Sequence, residues 1–131
     1  MERIRFLTHQ GRRTLFIDLT NCPAEHFAKL CELVPSYVTS EPQHSVLLLA
    51  DFTGSKVDRE ALEIIKKGVV FDRPHIKRSA WVGTEGLPKA FYEIIKAFSL
   101  RELPTFKTRE EALDYLVADD QDETQELASP G

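Results

Sequence analysis

The sequence predicts an α/β domain of the order ββαβαβαβα, with a mostly parallel five-stranded sheet, one antiparallel edge and helices packed on it. Two alternating stretches flank a short polar turn at the start of the chain. One strand-length run in the middle is apolar on both faces. Single amphipathic segments of helical period separate the later strand-like runs, and strands joined that way require parallel crossovers.

The elements follow in order. Residues 3–8 and 13–18 alternate apolar and polar positions around His9-Gln10-Gly11-Arg12, the pattern of an antiparallel hairpin. Pro23 suits a first helical turn, and Phe27, Leu30, Cys31 and Val34 follow at helical spacing. A helix is therefore expected over about 23–34, ended or restarted by Pro35. The run 45–51, Ser-Val-Leu-Leu-Leu-Ala-Asp, reads as a central strand covered on both faces. A second helix carries Val57, Ala61, Ile64, Ile65 and Gly68 on its apolar side. Ser55 is expected to cap it, with Asp58 near the positive end of its dipole.

Residues 76–82 form the next expected strand, and Gly83-Thr84 lead into a helix with Leu87, Phe91, Ile94, Ile95 and Phe98 inward. Leu103-Pro104-Thr105-Phe106 reads as a short edge strand, because proline lacks a ladder donor. Thr108-Arg109-Glu110-Glu111 has the form of a capping box, opening a last helix that buries Ala112, Leu113, Leu116 and Val117.

Composition narrows the function classes. A chain of 131 residues buries roughly two-thirds of its unfolded surface as one domain, enough for a core without staples. The net charge is −4, yet Asp119, Asp120, Asp122, Glu123 and Glu126 alone supply −5. The chain therefore divides into a domain over 1–118 and an acidic tail over 119–131, expected to be disordered. The remaining 17 basic and 16 acidic residues nearly balance and give no field favouring nucleic acid. The first 13 residues alternate charged and apolar positions, and the longest apolar run is far shorter than the roughly 20 residues of a spanning helix. A soluble, cytoplasmic protein is expected. Cys22 and Cys31 form no CxxC pair and have no histidine at ligand spacing, so reduced thiols and no metal are expected.

Few residues offer chemistry. His9, His26, His44 and His75 fall in a turn, a helix, a loop and at a strand start, none within a nucleophile motif. Asp51, Thr84 and Lys107 follow successive strands as in response-regulator receivers, but the acidic pair that would hold magnesium is replaced by Thr8-His9 and a lone Asp18. Arg73, His75, Lys77 and Arg78 are expected to face solvent from a strand whose Trp81 packs inward. No catalytic set emerges. Thr53-Gly54-Ser55 before the second helix reads either as an ordinary turn and cap or as a place for a phosphate among free amide protons.

Three stretches carry a resemblance: residues 47–55 (Leu-Leu-Leu-Ala-Asp-Phe-Thr-Gly-Ser), residues 77–89 (Lys-Arg-Ser-Ala-Trp-Val-Gly-Thr-Glu-Gly-Leu-Pro-Lys) and residues 106–116 (Phe-Lys-Thr-Arg-Glu-Glu-Ala-Leu-Asp-Tyr-Leu). In this order the chain, over about 3–117, resembles bacterial STAS-like proteins of the SpoIIAA-like group. In shape these are similar to anti-sigma-factor antagonists and to lipid-binding CRAL-TRIO domains. Antagonists are phosphorylated by a partner kinase on a serine in an Asp-Ser-Ser-Gly type sequence, where this chain has Asp51-Phe52-Thr53-Gly54-Ser55.

The resemblance implies a non-enzymatic regulatory module that binds a protein partner, with Thr53 and Ser55 as phosphoacceptor candidates. The loop residues Asp51, Phe52, Gly54, Lys56 and Asp58, with Gly83 and Thr84, form the expected docking surface, since open parallel sheets gather their loops at the strands' carboxyl ends. The glycines there are expected to let another backbone or ligand approach. The alternative is a carrier of a small apolar molecule or lipid. No cofactor is expected, and homo-oligomerisation is left open.

Overall fold

A computed structural model gives the backbone of residues 3–128 and the side chains of residues 3–118. Its elements are β1 (Ile4–His9), β2 (Arg12–Asp18), α1 (Ala24–Val38), β3 (Val46–Asp51), α2 (Arg59–Asp72), β4 (Ile76–Val82), α3 (Lys89–Ser99), β5 (Thr105–Phe106) and α4 (Arg109–Ala128). The ββαβαβαβα order is the expected one. The five strands lie in sequence order, with β1 and β2 antiparallel and every other pair parallel. Gln10 and Gly11, both at positive φ, close the β1–β2 hairpin in two residues, the geometry that matches strand twist.

Strand β3 is the middle strand, and all six of its residues are buried. Its alternate side chains enter two separate cores. Val46, Leu48 and Ala50 join Ile4, Leu15 and Ile17 against α1, α2 and α3. Leu47 and Leu49 join Phe16, Ala80 and Val82 against Ala112, Leu116 and Val117 of α4. Right-handed crossovers of one hand place the first three helices on one face, leaving the other to the helix after the last strand. The register shift between Val46 and Leu47 along β4 breaks that strand's alternation. Ile76 and Trp81, five positions apart, consequently face the same layer.

Several local expectations need correction. Helix α1 does not stop at Pro35 but runs through it to Val38. The ring removes one helical donor, and hydroxyls supply others: Ser36 Oγ donates to the Leu33 carbonyl at 2.7 Å and Thr39 Oγ1 to that of Pro35 at 2.8 Å. Buried Val38 holds the last turn on the core. Ser55 does not cap α2. Asp58 does, its carboxylate accepting from the Ala61 amide at 2.8 Å. Phe98 is 38% exposed and faces outward, unlike buried Phe91 and Ile95 of the same helix.

Thr108 caps α4, its hydroxyl accepting from the Glu111 amide at 3.2 Å. The acidic stretch 119–131, expected as a disordered tail, lies outside the residues whose side chains are described. Among the described residues no helix is long and apolar enough to cross a membrane.

Candidate functional site

The carboxyl ends of β2 and β3 carry the same short pattern, Asp18-Leu19-Thr20 and Asp51-Phe52-Thr53. Parallel pairing sets Asp18 directly beside Asp51. Each carboxylate folds its own turn. Asp18 Oδ1 accepts from the Thr20 amide and hydroxyl at 3.1 and 2.6 Å, and Asp51 Oδ1 accepts from those of Thr53 at 3.0 and 2.7 Å. Such turns are what Asp followed two residues later by a hydroxyl residue produces.

Arg109, in the first turn of α4, joins the two. Its Nε donates to Asp51 Oδ2 at 2.6 Å, and its Nη2 lies 3.5 Å from Asp18 Oδ1. Its guanidinium also covers the Phe16 ring at 4.5 Å. Asp51 is only 4% exposed, so a charge-assisted bond there is worth more than one between solvated groups. At Asp18 burial alone would raise the carboxyl. The Thr20 hydroxyl and amide, with the charges of Arg109 and Arg3, outweigh burial and hold it below the usual carboxylate range.

Beyond the strands the loops stay paired. Leu19 N donates to the Asp51 carbonyl, Asn21 N to that of Thr53 and Lys56 N to that of Cys22, at 2.9, 2.7 and 2.9 Å. The glycines serve this packing. A Cβ on Gly54 would stand 2.2 Å from Asn21 Oδ1, and one on Gly83 would stand 2.1 Å from Thr53 Oγ1 and 2.6 Å from its amide. Both have positive φ. Within this chain, the close approach these glycines allow is between its own loops.

The structure divides the expected site residues into two groups. Thr53, Gly54, Lys56 and Asp58 are exposed, and Gly83 and Thr84 are half-buried beside them. Asp51, Phe52 and Ser55 are buried. Phe52 belongs to the core, its ring centroid 5.9 Å from that of Phe27 and 4.4 Å from that of Trp81. Ser55 is 8% exposed, and its hydroxyl donates to the Phe52 carbonyl at 2.8 Å. Its role is to close the turn, and a phosphate there would have to displace the loop.

The other candidates do not converge. His9 Nε2 lies 2.8 Å from Asp114 Oδ1, and His75 Nδ1 lies 2.7 Å from the Glu41 carbonyl; His26 and His44 are exposed elsewhere. The basic cluster around β4 is split. Arg73 donates to the Phe98 carbonyl on one face, and Arg78 donates to the Tyr115 hydroxyl on the other. Trp81 is buried, as expected. Both cysteines are free and buried, with burial raising the Cys22 thiol and pushing Cys31 to about 12. Among the described residues no three His, Cys, Asp or Glu side chains are placed to share a metal ion. The cation beside Asp51 is Arg109.

Arg109 and the Asp18–Thr20 turn were not singled out from the sequence. The signal available was the repeated Asp-apolar-Thr at two successive strand ends. Comparison with family models, curated proteins and solved structures gives no match for this chain.

Proposed function

We propose that this chain is a non-enzymatic, STAS-like regulatory module that docks a protein partner on the loop 51–58 and the turn after Gly83, with Thr53 as its phosphoacceptor. The observation that carries the proposal is the contrast between the two residues: Thr53 is exposed as a residue and Ser55 is buried. The strand and helix order fits the STAS-like resemblance. The frame beneath the loop is stiff, since Asp51, Arg109 and Asp18 tie β2, β3 and α4 together at one edge. A preformed loop loses little conformational freedom on docking.

Thr53 would act as a switch through its own hydrogen bond. Its hydroxyl proton is held by Asp51 Oδ1. A kinase that esterifies the oxygen removes that proton and sets a phosphate against a buried carboxylate, so the turn must open unless Lys56 or Arg109 takes the new charge. The docking surface changes shape in either case. We place this activity in the cytoplasm, where two buried free thiols would stay reduced. The carrier reading has less support. The apolar cavities beside Trp81, of about 90 and 70 Å³, fall well below the several hundred Å³ that larger ligands occupy.

Phosphate mapping on protein isolated from its native cells tests the switch. Phosphate on Thr53 and none on Ser55 is the expected result. Phosphate on Ser55 in the folded protein, or on neither residue under every growth condition, contradicts it.

A further inference from the structure

Strand β1 is an outer strand of the sheet, and the hairpin decides what its free side presents. The two-residue turn makes His9 and Arg12 a hydrogen-bonded pair, so Leu7 with Thr14 and Arg5 with Phe16 exchange backbone bonds in alternation. The Asp18 amide, donating to the Arg3 carbonyl at 2.7 Å, continues that series. The N–H and C=O groups of Ile4, Phe6 and Thr8 therefore point away from β2. No hydrogen bond among the described residues engages them.

Sheet edges are usually guarded against pairing with another chain. The edge at β5 is: that strand has two residues and follows Pro104, and Arg101 donates to the Lys77 carbonyl of β4 at 3.2 Å. Strand β1 runs six residues without proline and in unbroken register. Ile4 is 3% exposed, so the open stretch is 5–9, with Arg5 and Thr8 exposed and Phe6, Leu7 and His9 half-buried. Its midpoint is Leu7.

The charges on this edge are self-complementary. Arg5, Leu7 and His9 share the α4 face, where the Arg5 guanidinium covers the Phe16 ring at 4.9 Å and has no carboxylate partner among the described residues. Asp114 of α4 takes His9 and Gln10 both on Oδ1, at 2.8 and 3.1 Å, and its side chain is 53% exposed. No described residue engages its Oδ2.

We propose that β1 pairs antiparallel with β1 of a second copy, about a two-fold axis through Leu7. Phe6 and Thr8 of one copy exchange backbone bonds with Thr8 and Phe6 of the other, through the groups that point outward. Leu7 meets Leu7 as a pair without backbone bonds, where side chains stand closest. Arg5 stands opposite His9 of the second copy and reaches the Asp114 which that histidine holds. Centring the pair on Phe6 would need the backbone of buried Ile4 and would set Arg5 against Leu7. The contact is isologous and closes after two copies. It uses no residue of the loop 51–58 and stands whether or not that loop docks a partner.

Sedimentation equilibrium from about 1 to about 300 µM should show a reversible dimer. Arg5→Glu faces Asp114 with a like charge and should weaken it by at least about tenfold, and adding Asp114→Lys should restore it. Thr8→Pro removes a donor that the hairpin does not use, so the fold should survive and the dimer should not. On oxidation Leu7→Cys should link two copies, because a Cα separation of about 4.5 Å suits a disulfide, whereas Thr8→Cys should not. Both native thiols are buried. Thermal unfolding confirms that each variant is folded. Wild type that stays monomeric throughout, a dimer undiminished by Arg5→Glu, or equal linking from positions 7 and 8 overturns the proposal.

Discussion

Asp72 gives a sharp test of how burial acts in this molecule, through the conservative change Asp72→Asn. Burial raises its carboxyl from the usual 3.8 to about 7, with nearby His75 opposing the rise. Below pH 4 folded and unfolded chains both carry the proton, and the residue has no effect on the pH dependence. Between pH 4 and 7 the unfolded chain ionises while the folded chain keeps its proton, so stability falls as pH rises. Above pH 7 both forms are ionised, and the full deficit remains.

A displacement of that size amounts to about 4 kcal/mol. Asparagine keeps the shape and a polar group but cannot ionise. Urea unfolding of both proteins at pH 4.5, 6 and 8 therefore gives a stability difference that grows in favour of Asp72→Asn by about 3 kcal/mol over the range, the first ~1 kcal/mol being already present at pH 4.5. Because every other titrating group is common to both chains, the comparison isolates this one. Parallel pH profiles would show that Asp72 is ionised without penalty, and the reasoning from its burial would fail.

Arg109→Ala leaves Asp51 buried without its cation, and since the arginine is 43% exposed we expect a loss of about 1–3 kcal/mol in urea unfolding. Replacing Ser55 by alanine should cost about 1 kcal/mol, whereas Ser55→Asp should cost several by burying a charge; equal tolerance of both would place Ser55 at the surface. Gly83→Ala combines a φ of 69° with a Cβ 2.1 Å from Thr53 Oγ1, so thermal unfolding should show a loss of at least about 2 kcal/mol.

Much of the fold was legible because pattern and structure share a physical cause. The unbroken apolar run of β3 reads as a strand with cores on both faces, and six buried residues bear this out. Pro35 was misjudged because a lost donor is a local cost. The packing of Val38 is a tertiary gain, and the added bonds from the Ser36 and Thr39 hydroxyls to the Leu33 and Pro35 carbonyls are a local one, that propensity does not contain. Ser55 and Asp58 are both good caps by type, and only the path of the loop decides between them.

Phe98 shows the limit of a helical stripe. The buried face runs through Phe91, Ile95 and Ser99, each four residues after the last, so the final inward position falls on Ser99 and leaves Phe98 beside it. Arg109 was the largest omission, because its partners are 58 and 91 residues away in sequence and only the sheet register brings their carboxylates together. Asp72 was also missed. It follows an apolar stripe at the end of a helix, where an exposed acid is the ordinary expectation.

The central claim is that the loop 51–58 docks a protein partner, and photo-crosslinking inside native cells tests it most directly. A photoreactive residue at Lys56 is compared with one at Lys29, an exposed position on α1. A single discrete adduct from position 56, absent from position 29 and abolished by Thr53→Glu, is the predicted result. The same adducts from both positions, or none from position 56, would contradict it.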